Sequence, residues 1–173
     1  MLVSLRASLS ELLYRRSRDI REFSVSLGGV TKVAVRKRKT NAKLLDDCAV
    51  LMQKIVRMKA AIHVGHSHIH CVTCGKQDHW KSMQGGHWIS RTWTVHKVCE
   101  ENIHPQCVSC NKYRPERVAD DYTMFMIDMY GVDWVEDMVR AKHEICKRPR
   151  QEITDLKDEL KARAKEMEAI VPS

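Results

Sequence analysis

The stretch that decides the fold runs from residue 71 to residue 111 and reads CVTCGKQDHWKSMQGGHWISRTWTVHKVCEENIHPQCVSCN. A CxxC pair stands near each end, Cys71 with Cys74 and Cys107 with Cys110. Both thiolates of such a tight turn can reach one ion, and four thiolates form the closed tetrahedral set of structural zinc. Soft sulfur ligands favour zinc over magnesium or calcium. We therefore predict one structural Zn²⁺ held by these four cysteines.

Other interpretations of the cysteines are weaker. A redox role would need a thioredoxin-like βαβ pattern around a CxxC pair, and none surrounds either pair. His70 and His79 flank the first pair and offer substitute ligands, although four thiolates already suffice. The remaining cysteines of the seven, Cys48, Cys99 and Cys146, are expected to be free thiols or small buried side chains. This usage is typical of a reducing compartment.

Three polar residues between and just after the cysteine pairs suggest a second, catalytic metal site. His87 lies on a probable strand over residues 86–91, Asn102 precedes the second pair, and Asn111 follows it, where a helix is expected to begin. This order resembles the His-Asn-His, or ββα-metal, nuclease pattern, in which a hairpin and a helix hold one divalent cation.

The residue types suit phosphodiester hydrolysis. A neutral imidazole such as that of His87 can act as the general base for an attacking water. The amide oxygen of Asn111 is a hard ligand, appropriate for Mg²⁺ or Mn²⁺. Asn102 is expected to tie the ends of the loop together or to orient His87. The alternatives are a core role for His87 and a helix-capping role for Asn111.

One position departs from the nuclease pattern. The residue before the catalytic histidine is usually a metal-binding Asp, and here it is Gly86. The second protein ligand of the cation is therefore open among several side chains, and His104 in particular serves equally well as a brace of the loop. The candidates are His87, Gln84, His104, Glu100, Glu101 and Asp120.

The charge is concentrated near the start of the chain. The net charge is +8, and residues 1–63 hold 14 Lys and Arg against 5 Asp and Glu. Basic runs bind phosphate backbones without reading sequence, although a solvated tail is the alternative. The expected partner is therefore branched or double-stranded DNA. The residues expected to contact it are Arg36, Lys37, Arg38 and Lys39 in the basic run and Arg91, Lys112 and Arg114 in the core.

The sequence predicts helices on both sides of the motif region. We predict a basic helix over 2–22, a hairpin over 23–35, an amphipathic helix over 41–62 capped by Asn41, and two short helices over 120–145 joined at Gly131, with Asp133 capping the second. A charged helix over 151–170 either dimerises or packs back on the core. The expected domains are a basic extension (1–40), a helix packed on the core (41–64), the zinc and nuclease core (65–118) and C-terminal helices (119–173). The fold class is α+β, a zinc-stapled ββα-metal (HNH-type) core with flanking helices.

The motif block also resembles one family. The segments Cys71-Val-Thr-Cys74-Gly75, Gly86-His87-Trp88 and Glu101-Asn102-Ile103-His104-Pro105-Gln106-Cys107-Val108-Ser109-Cys110-Asn111 are similar to the NinG (Rap) family of phage recombination endonucleases. The resemblance spans roughly 41–165, and the architecture is similar to phage endonuclease VII. It implies a structure-selective endonuclease that cuts Holliday junctions and D-loops with structural zinc and a catalytic Mg²⁺ or Mn²⁺, working with phage or host recombination proteins in the bacterial cytoplasm.

The sequence leaves other functions open. A zinc-containing module that binds nucleic acid without cutting it would need only the basic arm and the four cysteines. A sequence-specific homing nuclease is disfavoured, because no site-reading module is recognisable. Symmetric cutting of a junction would require a homodimer. We expect no membrane span and no secretory signal, because the chain has no long uncharged apolar run.

Overall fold

The computed structural model describes residues 38–113 and 116–173. Residues 38–173 form one compact unit. The predicted helix over 2–22, the hairpin over 23–35 and the DNA-binding candidates Arg36, Lys37 and Arg114 lie outside the described residues. No helix in the described part of the chain is long and apolar enough to cross a membrane.

The described elements mix helices with two small sheets, which confirms the α+β class. The helices are α1 (Asn41–Val64), α2 (Ala119–Tyr130), α3 (Val132–Ala141) and α4 (Arg150–Ile170). The strands are β1 (His68–His70), β2 (Gln77–His79), β3 (Gln84–His87) and β4 (Ile103–Gln106). A short 3-10 turn covers Glu100–Asn102, and a π-helical turn covers Ser109–Tyr113.

The central helix α1 forms where apolar residues recur at helical spacing, as predicted. Its N-cap is Thr40 rather than the predicted Asn41, since the Thr40 side chain accepts a hydrogen bond from the backbone amide of Lys43. Gly65 ends the helix in the left-handed conformation, at φ 75°. Cys71, Cys107 and Cys110 belong to the same buried cluster as the apolar face of α1.

The C-terminal helix α4 packs along α1. Ile153, Leu160 and Ala164 are buried in the cluster that contains the apolar face of α1. A charged contact reinforces this pairing, since Lys157 of α4 bonds Asp47 of α1 at 2.5 Å. Arg163 of α4 also bonds Glu100 of the 3-10 turn, at 2.6 Å. Of the two arrangements open from the sequence, packing back on the core is the one found.

The other two C-terminal helices meet at Gly131, as predicted. Gly131 has a φ of 86°, a conformation that favours glycine, and it also stands at the N-cap of α3. The prediction that Asp133 caps this helix is therefore wrong, and Asp133 lies instead in the first turn. There its negative charge is favourable beside the free backbone amides.

Candidate functional site: a cysteine cluster beside a hairpin cavity

The four CxxC cysteines come together as predicted. Their Sγ atoms all lie within 4.8 Å of one another, and those of Cys74 and Cys107 are 3.8 Å apart. A zinc tetrahedron with bonds of about 2.3 Å has edges of about 3.8 Å. The donor set therefore fits Zn²⁺, with no position left open for substrate. In the described chain this is the one group of three or more Cys, His, Asp and Glu side chains with such spacing.

The local backbone explains how the first pair is presented. Strands β1 and β2 form an antiparallel hairpin with Cys71 to Gly75 at its tip. Gly75, which follows the second cysteine, has a φ of 70°, a left-handed conformation that glycine adopts at no steric cost. Its amide donates a 2.9 Å hydrogen bond to the carbonyl of Cys71. The tight turn thus places both thiols on one side.

The thiols show the electrostatics of a site that needs a cation. Burial opposes ionisation of Cys71, but hydrogen bonds from the Thr73 hydroxyl and from backbone amides lower its pKa to about 6. Burial and the neighbouring thiols raise the pKa of Cys110 to about 12. One thiolate forms readily while a further negative charge beside it is opposed, so a bound cation would favour the full four-thiolate form.

The second hairpin carries the predicted catalytic residues. Strands β3 and β4 pair antiparallel, with Gln84 opposite Gln106, Gly86 opposite His104 and His87 opposite Ile103. The predicted strand over 86–91 is therefore wrong in its bounds, because pairing ends at His87. Opposed residues share a face and successive residues alternate. Gln84, Gly86 and Gln106 lie on one face, and His87 lies on the other.

Despite this alternation, His87 and Asn111 line the same cavity. It has a volume of about 390 Å³ and lies at the end of the β3–β4 hairpin, beside α2 and α3. Its lining includes His87, Trp93, Gln106, Asn111, Tyr122 and Lys142. No Asp or Glu is among the described residues that line it. The cavity is therefore neutral to basic and suited to an anionic ligand.

His87 is held in one tautomer by its hydrogen bond. Its Nε2 lies 3.0 Å from the carbonyl oxygen of Lys97. A carbonyl only accepts, so Nε2 carries the hydrogen and Nδ1 of the neutral ring retains its lone pair. Burial lowers the pKa of His87 below its ordinary value, more than the bond to Lys97 raises it. The ring is therefore neutral near pH 7.

Asn111 is oriented by a neighbour on the hairpin. Its Nδ2 donates a 2.6 Å hydrogen bond to Oε1 of Gln84. Because the amide nitrogen is used in this way, Oδ1 is the atom left to accept or to bind a cation. A helix was expected to begin at Asn111, and the structure has a π-helical turn there, Ser109–Tyr113, which begins two residues earlier. This turn keeps Asn111 next to the cysteine cluster.

Asn102 braces the loop between the strands and is fully buried. Its Oδ1 accepts a 2.8 Å hydrogen bond from the amide of Ile89, and its Nδ2 donates to the carbonyls of Ile89 at 2.8 Å and His96 at 3.1 Å. All the side-chain hydrogen-bonding groups thus serve the loop ends. Of the roles considered for Asn102, this geometry matches the tie between the loop ends.

His104 lies in an aromatic setting. Both ring nitrogens are 3.2 Å from tyrosine hydroxyls, Nδ1 from that of Tyr122 and Nε2 from that of Tyr130. Burial lowers the pKa of His104 to about 4. Tyr122 in turn donates a 2.8 Å hydrogen bond to the carbonyl of Gly86. In this arrangement neither nitrogen of His104 is free to bind a metal, and the residue supports the hairpin.

The remaining candidates for a second protein ligand of the cation are one residue beside Asn111 and three carboxylates away from the cavity. Gln84 lies against Asn111, whereas Glu100 accepts hydrogen bonds from Arg163 and Lys59, which lower its pKa to about 2. Glu101 accepts a hydrogen bond from Cys99, and Asp120 is exposed in the first turn of α2. None of these three carboxylates lines the cavity.

The cationic candidates in the described chain lie mostly on the surface. Arg91 and Lys112 are exposed, and Lys112 lies over the ring of Tyr113. Lys39 is exposed and pairs with Asp47, and Arg38 is exposed beside it. Only Lys142, which was not predicted, lines the cavity itself.

Gln106 and Tyr122 are two buried polar residues of the cavity that the sequence analysis missed. Gly86 carried a usable signal for Gln106, since a glycine inside a strand often marks the close approach of another group. A side chain placed at Gly86 would have its Cβ only 1.8 Å from Oε1 of Gln106. Nothing comparable in the sequence marks Tyr122.

Comparisons with known proteins bear on the family. A family model described as bacteriophage lambda NinG protein matches residues 17–169. The match begins well before residue 41, where the sequence resemblance was expected to begin. Comparisons with curated proteins and with solved structures gave no significant match. Because the family model covers most of the chain, the chain belongs to the NinG protein family.

Proposed function

We propose that the protein is a metal-dependent, structure-selective endonuclease that cuts branched DNA, such as Holliday junctions and D-loops, during phage recombination. The observation that carries the proposal is that His87 and Asn111 line one cavity beside the four-cysteine cluster. The membership in the NinG family supports a role in phage recombination. The β3–β4 hairpin followed by the turn at Asn111 supports an HNH-type core, similar to that of endonuclease VII.

His87 is the general base in this proposal. Its Nε2–H is fixed on the carbonyl of Lys97, so Nδ1 is the nitrogen able to take a proton from water. The water oxygen bonds to phosphorus, one phosphorus–oxygen bond of the strand breaks, and the water proton passes to Nδ1. Because burial keeps the ring neutral, the base is ready at physiological pH.

In this proposal Asn111 would hold a hard cation together with a phosphate of the substrate. The side-chain oxygens of Asn111 and its neighbour Gln84 are hard ligands but carry no charge. A phosphate would supply the negative charge that the cavity lacks. Mg²⁺ or Mn²⁺ bound there would neutralise charge developing on the phosphate and stabilise the leaving oxygen.

The basic groups are suited to guide the substrate. Lys142 lines the cavity, and Arg91 and Lys112 are exposed in nearby parts of the chain. Such side chains contact phosphates and carry little sequence information. A preference for branched DNA therefore rests on shape. Because each chain has one candidate site and a junction needs two cuts, we propose a homodimer working with recombination proteins of phage or host.

A non-catalytic nucleic-acid-binding role is the second candidate. It is favoured by the absence of Asp and Glu from the described lining of the cavity and by the position of His87 on the opposite hairpin face from Gln84 and Gly86. In this role the cysteine cluster and the basic surface suffice. Junction binding that persists in EDTA, with no strand scission when Mg²⁺ or Mn²⁺ is present, would favour it.

The deciding experiment incubates the purified, zinc-loaded chain with a labelled four-way junction in Mg²⁺ and in Mn²⁺. Wild type, His87→Ala and the matched control His68→Ala, whose side chain is exposed on β1, are compared on a denaturing gel. Cleavage by wild type and by the control, with loss in His87→Ala, supports the endonuclease. Equal cleavage by all three, or none by wild type, excludes it.

A further inference from the structure

The cavity at the end of the β3–β4 hairpin combines apolar and aromatic walls with a few polar groups and one cation. Such a lining is typical of sites for small organic ligands, and the volume of about 390 Å³ lies in their range of about 300–1,000 Å³. Because Lys142 lines the cavity and no described Asp or Glu does, the ligand that fits carries negative charge. The apolar walls come from Trp88, Ile89, Trp93, Val118 and Val139.

Lys142 supplies a positive charge that no carboxylate neutralises. It stands directly after α3, which ends at Ala141. In the part of the chain that the structure describes, no ion pair or hydrogen bond joins its side chain to another residue. Lys97, by contrast, pairs with Asp46 at 2.7 Å. An ammonium group without such a partner is available to a phosphate that enters the cavity.

Trp93 supplies an aromatic surface close to Lys142. It is 37% exposed, whereas Trp80 in the core is 5% exposed. The ring of His143, the residue after Lys142, meets the Trp93 ring edge-on, with centroids 4.7 Å apart and planes at 82°. This contact brings Trp93 and Lys142 to the same part of the cavity wall. Trp88 is less free to adapt, because its Nε1 donates a 3.0 Å hydrogen bond to the hydroxyl of Thr123.

We propose that the cavity takes one unpaired nucleotide of branched DNA, with its base stacked on Trp93 and its phosphate beside Lys142. This inference rests on the proposed function and names the part of the substrate that is recognised. A nucleotide has an apolar base face, a hydrogen-bonding base edge and a charged phosphate, which match the three kinds of group in the lining.

Such a site distinguishes a branch from a continuous duplex without reading sequence. Every base of a duplex is paired and stacked, and its removal from the stack costs free energy. A base that is already unpaired, where strands separate in a D-loop or an open junction, enters at a smaller cost. Stacking on an aromatic ring tolerates any of the four bases.

The test compares three labelled DNA duplexes, one fully paired, one with a single extra nucleotide, and one in which that extra nucleotide lacks its base. Fluorescence anisotropy measures their binding to the zinc-loaded full chain without added Mg²⁺ or Mn²⁺. We expect wild type to bind the extra nucleotide with its base at least about fivefold more tightly than without it. Trp93→Ala should abolish this difference, and Trp93→Phe should keep most of it. Tyr113→Ala is the matched control and should keep it fully, because Tyr113 is 69% exposed but does not line the cavity.

Lys142→Met should act on the phosphate and not on the base. It should weaken binding of the base-bearing and the abasic DNA by the same factor, and it should lower the dependence of log affinity on log salt by about one. Equal wild-type affinity for the base-bearing and abasic DNA would overturn the proposal, as would the same loss of discrimination in Tyr113→Ala as in Trp93→Ala. Equal affinity together with Trp93-dependent binding of free deoxyadenosine monophosphate would assign the cavity to a free nucleotide instead.

Zinc content and urea unfolding are measured for every variant. If Trp93→Ala does not fold, the wild type decides by photochemical cross-linking to DNA that carries 5-iodouracil as the extra base. A cross-link to Trp93, mapped by mass spectrometry, supports the proposal. Cross-links confined to residues outside the cavity reject it.

The outcome is separable from that of the proposed function. Junction cleavage that depends on His87, together with equal binding of base-bearing and abasic DNA, rejects the nucleotide site and leaves the endonuclease standing. Base-dependent binding that requires Trp93, with no cleavage by wild type in Mg²⁺ or Mn²⁺, rejects the endonuclease and leaves the nucleotide site standing.

Discussion

Asn111 and Gln84 join the cysteine cluster to the hairpin through a single 2.6 Å hydrogen bond, from Nδ2 of Asn111 to Oε1 of Gln84. Asn111 follows Cys110 immediately, whereas Gln84 begins β3. An asparagine amide can otherwise rotate so that nitrogen and oxygen exchange places. The bond to Gln84 selects the orientation in which the Asn111 oxygen is available to the cavity.

Removing that partner should therefore lower activity more than stability. In Gln84→Ala we expect the junction cleavage rate to fall about 10–100-fold, as for loss of a group that orients a metal ligand. The free energy of unfolding should fall by only about 0.5–1.5 kcal/mol, the net value of one hydrogen bond. Single-turnover cleavage and urea unfolding measure the two effects. Gln84→Glu, which keeps an acceptor in place, is the control, and wild-type cleavage by Gln84→Ala would contradict this role.

His87 should determine the acid side of the pH profile. His87→Ala is expected to reduce cleavage by about 10²–10⁴-fold, the usual contribution of a general base. Because burial lowers the pKa of His87, the base stays deprotonated below the ordinary histidine range. The cleavage rate of wild type should therefore hold as pH falls through 6.5 and decline only at more acidic values. Single-turnover rates between pH 5 and 8 test this, with zinc content monitored, and a decline centred above 6.5 would exclude His87 as the base.

His104 should make stability fall in mild acid. Its pKa is about 4 in the fold, below the ordinary value of 6.5, so the unfolded chain binds the proton first. Above about pH 6.5 the ring is neutral in both states and does not reduce the free energy of unfolding. As pH falls from there towards 4, only the unfolded chain gains the proton, so the free energy of unfolding decreases. Between pH 7 and 5.5 the loss assigned to His104 is about 1 kcal/mol.

The measurement is urea unfolding of wild type and His104→Gln at both pH values. The glutamine does not titrate and can still bond one tyrosine hydroxyl, so the variant should be less stable at pH 7 but should lose less between pH 7 and 5.5. An identical loss in both proteins would show that His104 does not titrate in this window.

The sequence predicted the cysteine cluster because its chemistry is local. Two thiols in each CxxC turn need only a tight backbone and a glycine, which Cys71 to Gly75 supply. Helix α1 was predictable for a similar reason, since its apolar residues recur with helical period. The cap at Thr40 was missed by one residue, because Thr40 and Asn41 both have capping side chains and only the backbone geometry chooses between them.

The cavity was harder to predict because it depends on contacts between distant segments. The brace of Asn102 on Ile89 and His96, and the bonds of His104 to two tyrosines of α2, follow from how the hairpin meets its neighbours. The sequence showed an absent carboxylate at Gly86 but not that Gln106 fills the space. Spacing identifies ligands within a turn, while register and packing decide which side chain reaches a cavity.

The cysteine cluster should hold one zinc per chain and should govern folding of the core. We expect Cys74→Ser to lower zinc content and to destabilise the chain by several kcal/mol, because binding energy of structural zinc is folding energy. Elemental analysis and thermal unfolding followed by circular dichroism measure the effects. Cys146→Ser, outside the cluster, is the control and should keep its zinc. Full zinc content and stability in Cys74→Ser would argue against a four-thiolate site.

The packing of α4 on α1 should contribute to the free energy of unfolding of a single chain and not to association between chains. Leu160 is 3% exposed within the shared core, so Leu160→Ala should cost about 2–5 kcal/mol through lost burial and a residual cavity. The exposed neighbour Lys161→Ala should change stability by less than about 0.5 kcal/mol. Urea unfolding at several protein concentrations tests both. Since Leu160 contacts its own chain, the cost should be the same at every concentration. A cost that grows on dilution would instead place α4 in a contact between two copies.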